Sequence, residues 1–247
     1  MQSSKRRLRR RMAPRRRAAR TSTQSYSYVF ERRNPGIKYI FYAGLVITTA
    51  LAFVIFGVLY TSGAIGTTAA EIGSSIALSL FFMFAAFSYL LAKGKTLRQA
   101  VASLGLSRAG LTPKNMGIGL LLFFAVLAIE LALGIFQEVT GINLPTNTAA
   151  IFAGMPAYFL AFAVIVAPFD EEVLFRGFLV PRIGIIASAL LFGFLHLLSY
   201  WSVSEFIAAF AFGLMAGYAY RRTGSLYVGM LAHILVNLLG FLALFGV

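Results

Sequence analysis

Three short polar patterns stand in an otherwise apolar stretch: Glu171-Glu172-x-x-x-Arg176, Phe192-x-x-x-His196 and His233-x-x-x-Asn237. His196 and His233 are the two histidines of the chain. Carboxylates and imidazoles placed in hydrocarbon are costly unless they are paired or hydrated, so such residues mark a functional site. A carboxylate withdrawn from water binds protons more tightly and can act as a general base toward water. Two imidazoles can ligate a metal or donate to a developing oxyanion. An Asn amide can hold the oxygen of a scissile carbonyl. Together these groups equip a site to hydrolyse a carbonyl compound, above all a peptide bond. No Ser is placed with them as a nucleophile, so water is the attacker. The chain has no Cys, which excludes disulfides, thiolate metal sites and thiol catalysis. It also lacks a His-Glu-x-x-His run, which excludes an ordinary zincin site.

Spacing sorts the roles. His233 and Asn237 are four residues apart and share one helical face, and Phe192 lies one turn from His196 in the same way. Glu171 and Glu172 are about 100° apart on a helix and cannot face one point equally. Glu172 stands four residues before Arg176, the favourable order for a carboxylate–guanidinium pair. Glu172 is thus the neutralised partner, and Glu171 is left as the free carboxylate facing the histidines. Asp170 is read as a solvated or hydrogen-bonded neighbour near Pro168.

The elements that must position these residues are membrane helices. Of 247 residues, 59% are hydrophobic and 12% charged, far from the composition of a soluble domain. The net charge of +14 is mostly a tail property, because residues 1–33 hold twelve Lys/Arg against one Glu. That tail lacks apolar periodicity and carries too much like charge to fold alone. It reads as a disordered, positive-inside anchor touching anionic headgroups, with no nucleic acid expected. Its double arginines resemble a twin-Arg export signal, but the following span is long and lacks a clear cleavage site, so it reads as retained. Seven apolar segments follow, near 38–60, 72–92, 116–139, 151–180, 183–200, 204–220 and 225–246, each near the ~20 residues that cross a bilayer. Pro168 predicts a kink or break in the fourth. The mixed segment at 96–115 predicts a short interfacial helix and turn.

The expected fold is all-α: a polytopic bundle of about seven transmembrane helices plus that interfacial helix. Three parts are expected: a basic disordered tail (1–35), N-terminal transmembrane helices with the interfacial segment (36–149), and a catalytic membrane core (150–247). Lys93, Lys95, Arg98, Arg108, Lys114, Arg182, Arg221 and Arg222 fall in alternate loops, while those near 61–71, 140–150 and 200–204 carry no Lys or Arg. Positive-inside counting sets the N-terminus in the cytoplasm and the C-terminus outside, in the cell membrane. Counted from Arg182 and Arg222, residues Glu171, His196, His233 and Asn237 lie at depths of about 16–22 Å. Four polar residues on three helices therefore reach one level.

The stretches PFDEEVLFRG (168–177), LLFGFLH (190–196) and AHILVN (232–237), with the lead-in YRRTGSLYVGMLAH (220–233), resemble the motifs of the CAAX-protease and bacteriocin-processing (CPBP, or Abi) family. The resemblance covers about 150–240. It implies a multi-span intramembrane endopeptidase with a cavity open to the cytoplasm. Carried onto this sequence, it implies that Glu171 activates water, His196 and His233 complete the site, and Asn237 helps form the oxyanion hole. Glu172 and Arg176 support them, with Phe192 beside His196. Two mechanisms stay open: His196, His233 and Glu171 could hold Zn2+ or another divalent metal, or Glu171 could act without one. The partners implied are the bilayer and a peptide or lipidated protein substrate. The rival readings are an ion- or proton-coupled transporter and a non-catalytic immunity or scaffold protein.

Overall fold

The computed structural model describes residues 35–144 and 146–246, so the expectations for the basic tail lie outside the described residues. Among the described residues every regular element is helical. In chain order they are α1 (Pro35–Thr61), α2 (Thr67–Ala92), α3 (Leu97–Ser103), a 3-10 turn (Arg108–Gly110), α4 (Pro113–Thr140) and α5 (Thr148–Ala153). There follow α6 (Ala157–Glu172), a π-helical turn (Val173–Leu179), α7 (Val180–Tyr200), α8 (Val203–Thr223) and α9 (Tyr227–Phe245). Residues Tyr42–Val247 form one compact unit.

Among the described residues, five helices are long and apolar enough to cross a membrane: Thr67–Ala92, Pro113–Thr140, Ala157–Tyr200, Val203–Thr223 and Tyr227–Leu244. Their outer surface suits lipid, with Leu121, Phe124, Leu131 and Val139 of α4 all more than half exposed. The expected count of seven segments is not confirmed by these five. The fourth begins later, because Gly154–Pro156 separates α5 from α6. The fourth and fifth form one run of 44 residues, about 66 Å if straight and twice the ~30 Å hydrocarbon thickness. The run instead doubles back. Gly184 leaves the helix at φ 87°, a backbone region that favours glycine. Ser188 Oγ then donates to the Phe175 carbonyl at 2.7 Å, and the Phe175 and Phe192 rings stand 5.0 Å apart. On a straight helix those pairs would be about 20 and 26 Å apart. The helix continues through Pro168, so the expected break there is corrected: the reversal is made at Gly184.

The expected interfacial segment is α3 and the 3-10 turn. Thr96 and Gln99 close a capping box on α3, and Thr112 caps α4 with Pro113 in its first turn, both common helix-start chemistry. This segment locks one end of the bundle. Leu226 N–H donates to the Gly105 carbonyl at 3.0 Å, Ser225 Oγ to the Gly110 carbonyl at 3.1 Å and Tyr227 Oη to the Leu106 carbonyl at 2.9 Å. Arg182 lies over the rings of Phe178 and Tyr89 there. At the opposite end Thr148 Oγ1 donates to Glu205 at 2.7 Å, and Phe152 packs on Phe241 and Tyr200.

Apolar surface gains little from association in lipid, so helices pack through close fit and small residues. A Cβ at Gly213 on α8 would stand 2.9 Å from the Ala189 Cβ on α7. One at Gly119 on α4 would stand 3.0 Å from the Val228 carbonyl oxygen on α9. These approaches seat α7 against α8 and α9 against α4.

Candidate active site

The three motifs meet inside the bundle. Glu172 and Arg176 form a buried pair, Oε1 to NH1 at 2.9 Å, with side chains 0% and 2% exposed. The π-helical turn carries Arg176; such turns frequently occur at functional sites. The guanidinium lies over the rings of Phe192 at 4.2 Å and Phe212 at 4.8 Å, a cation–π arrangement that satisfies charge without water. A charge pair withdrawn from water is tolerable only with partners of this kind.

His233 stands between the two glutamates. Its Nδ1 is 3.4 Å from Glu172 Oε1 and its Nε2 is 3.6 Å from Glu171 Oε2. These are ion-pair separations, longer than a good hydrogen bond. The two glutamates do not face one point equally; the imidazole spans the angle between them and meets one at each nitrogen. Gly229, one turn before His233, makes room for this. A Cβ there would lie 3.0 Å from Glu172 Cδ. Phe192 packs edge-on to His233, at 5.8 Å and 89°, and 4.4 Å from His196.

His196 Nδ1 lies 3.0 Å from the Phe192 carbonyl. A carbonyl only accepts, so Nδ1 carries the proton and the neutral ring keeps a lone pair on Nε2. Asn237 donates one amide hydrogen to the Ala163 carbonyl on α6 at 2.9 Å. An amide nitrogen has two hydrogens, so the second remains for another acceptor.

Glu171, His196, His233 and Asn237 all line one cavity of about 510 Å³, the size of a small-ligand or peptide pocket. The Glu171 side chain is 20% exposed, whereas Glu172 is sealed below it. Among the described residues no three His, Cys, Asp or Glu side chains are grouped as metal ligands.

Several lining residues were not singled out from the sequence. Tyr200, one turn beyond His196 and 5.8 Å from it, had a legible signal in its spacing. Glu130 and Glu205 also line the cavity, and both are acids within apolar spans. Phe212 packs on both Arg176 and His233 but has no pattern that separates it from other span aromatics. Asp170 is 2% exposed and hydrogen-bonded to Ser79 of α2. Of the two readings of Asp170, the hydrogen-bonded one holds and the solvated one does not.

The chain is 36% identical over 89 residues to the protein called uncharacterized protein YpbD of Bacillus subtilis (strain 168), a match covering 35% of this chain and 46% of that one. The chain thus spans about half the length of this curated relative. No solved structure matches. Residues 153–239 match the family described as Rce1-like, type II CAAX prenyl endopeptidase, and all three motifs fall within that stretch.

Proposed function

We propose that this chain is an intramembrane endopeptidase that hydrolyses a peptide bond in a membrane-associated or lipidated protein or peptide. The observation that carries the reading is the division of the two carboxylates. Glu172 is held by Arg176, while Glu171 reaches the cavity beside His196, His233 and Asn237. The Rce1-like match over 153–239 supports it.

In the proposed reaction Glu171 takes a proton from a water that the His196 Nε2 lone pair also orients. The water oxygen bonds to the scissile carbonyl carbon. The oxyanion that develops is met by the spare Asn237 N–H and by His233. Collapse breaks the C–N bond, and the proton held by Glu171 passes to the leaving nitrogen. Preorganised donors of this kind act strongly because water is excluded. Glu172, Arg176 and Phe192 hold His233 and His196 in place. A metal is not needed for any of these steps, and the proposed mechanism is metal-free.

The protein is proposed to lie in the cell membrane with its N-terminus in the cytoplasm and its C-terminus outside, since the basic loops all fall at one end. A transporter would need a path through the bundle. Beyond Glu171 and His233, toward the basic end, Phe175, Phe192 and the Glu172–Arg176 pair are instead packed tightly, none more than 2% exposed. The reading is tested in proteoliposomes carrying purified protein and a library of internally quenched peptides. Cleavage that disappears in His233→Ala supports it; solute flux without any cleavage would sink it.

A further inference from the structure

We infer that the cavity takes its substrate from the extracytoplasmic side, so that the substrate is a peptide segment presented at the outer surface. The inference rests on the endopeptidase reading for the identity of the substrate, but its geometry stands apart from it. The motif resemblance implies a cavity open to the cytoplasm. The placement of the cavity walls points the other way.

From the catalytic level the walls run in one direction only. On α6 they pass from Glu171 to Ala167 and Ala163, and on α7 from His196 to Tyr200. On α9 they pass from Asn237 to Gly240 and Leu244. The rim is completed by Thr146 and Thr148. All of these lie toward the end where Thr148 bonds Glu205 and Phe152 packs on Phe241. In the opposite direction lie Glu172, Phe175, Arg176 and Phe192, packed to 2% exposure or less.

The two ends of the bundle differ in charge as sharply as in access. Lys93, Lys95, Arg98, Arg108, Lys114, Arg182, Arg221 and Arg222 all belong to loops or helix ends on the sealed side. On the open side the described loops and helix ends bear no Lys or Arg; Glu71, Glu138 and Glu205 stand there. Basic loops are retained in the cytoplasm, so the sealed side is cytoplasmic and the open side faces out. A second cavity, of about 250 Å³, shares Ala163, Ala167, Glu171 and Tyr200 with the first. It is lined on α2 by Glu71, Ser74, Ser75 and Ser79. It too extends toward the beginning of α2, away from the basic end. Both approaches to Glu171 therefore lead outward.

The absence of Cys makes the test free of background. Single-cysteine variants Thr146→Cys, at the cavity rim, and Ala109→Cys, in the exposed turn at the basic end, are treated in intact cells with a membrane-impermeant thiol reagent. The expected result is full labelling of Thr146→Cys and none of Ala109→Cys until the cells are permeabilised. Labelling of Ala109→Cys with protection of Thr146→Cys in intact cells would overturn the inference. The same impermeant quenched-peptide library is then given to right-side-out and inverted vesicles. Glu171-dependent cleavage confined to right-side-out vesicles supports the inference, and cleavage confined to inverted vesicles overturns it. The expected labelling with no cleavage in either orientation leaves outward access standing and removes the endopeptidase reading.

Discussion

Arg176→Met is the sharpest structural perturbation, because it strips a buried carboxylate of its partner. Glu172 and Arg176 are paired at 2.9 Å with both side chains sealed from solvent, and the guanidinium also lies over two aromatic rings. Removing one partner of such a pair costs about 3–5 kcal/mol, since the remaining charge stays buried and uncompensated. For a bundle of this size that corresponds to a fall in Tm of roughly 6–20 °C. Glu172→Gln should cost a similar amount from the other side. The double variant Glu172→Gln/Arg176→Met buries no unpaired charge and should lose less than either single change. The assay is the fraction of protein still monodisperse by size exclusion after heating in detergent, run as a double-mutant cycle. Arg221→Met, at an exposed position, is the control and should stay within about 0.5 kcal/mol of the parent. The reasoning is refuted if Arg176→Met behaves like that control, or if the two single losses simply add.

Other perturbations reach neighbouring parts of the site. Gly229→Ala puts a methyl group against the Glu172 carboxylate. It should cost about 1–3 kcal/mol by overpacking, together with most of the turnover; an active variant of parental stability would contradict the close approach. Asn237→Ala removes an oxyanion donor and should lower kcat about 10²–10³-fold with little change in KM. A rise in KM alone would make Asn237 a binding residue instead. Turnover should survive treatment with a strong chelator, with no stoichiometric metal in the purified protein by elemental analysis. Loss on chelation that is restored by one divalent ion would replace the metal-free mechanism.

Periodicity and charge made much of the fold legible. Continuous apolar runs near bilayer length are a direct consequence of the solvent, and so are the basic loops at alternate turns. The exact division into spans was less legible. Pro168 looked like the break, yet the helix continues through it and the chain turns back at Gly184. Ser188 and Phe192 can then pack on Phe175 of the preceding π-helical turn, a contact that no local pattern announces. At the site, the pairing of Glu172 with Arg176 was readable because four-residue spacing fixes it within one helix. The place of His233 between both glutamates was not, since it depends on the approach of α9 at Gly229. The tie between Asp170 and Ser79 spans 91 residues and was likewise out of reach of spacing arguments.

The central claim is that Glu171 is the base of a peptidase. The most direct measurement compares the membrane-associated peptides of cells carrying the parent protein with those of cells carrying Glu171→Ala at equal protein level, mapping C-termini by mass spectrometry. The account predicts at least one C-terminus present with the parent, absent with Glu171→Ala, and replaced there by its uncleaved precursor. Identical C-termini in the two strains, or cleavage of a defined substrate by purified Glu171→Ala protein at the parental rate, would contradict it.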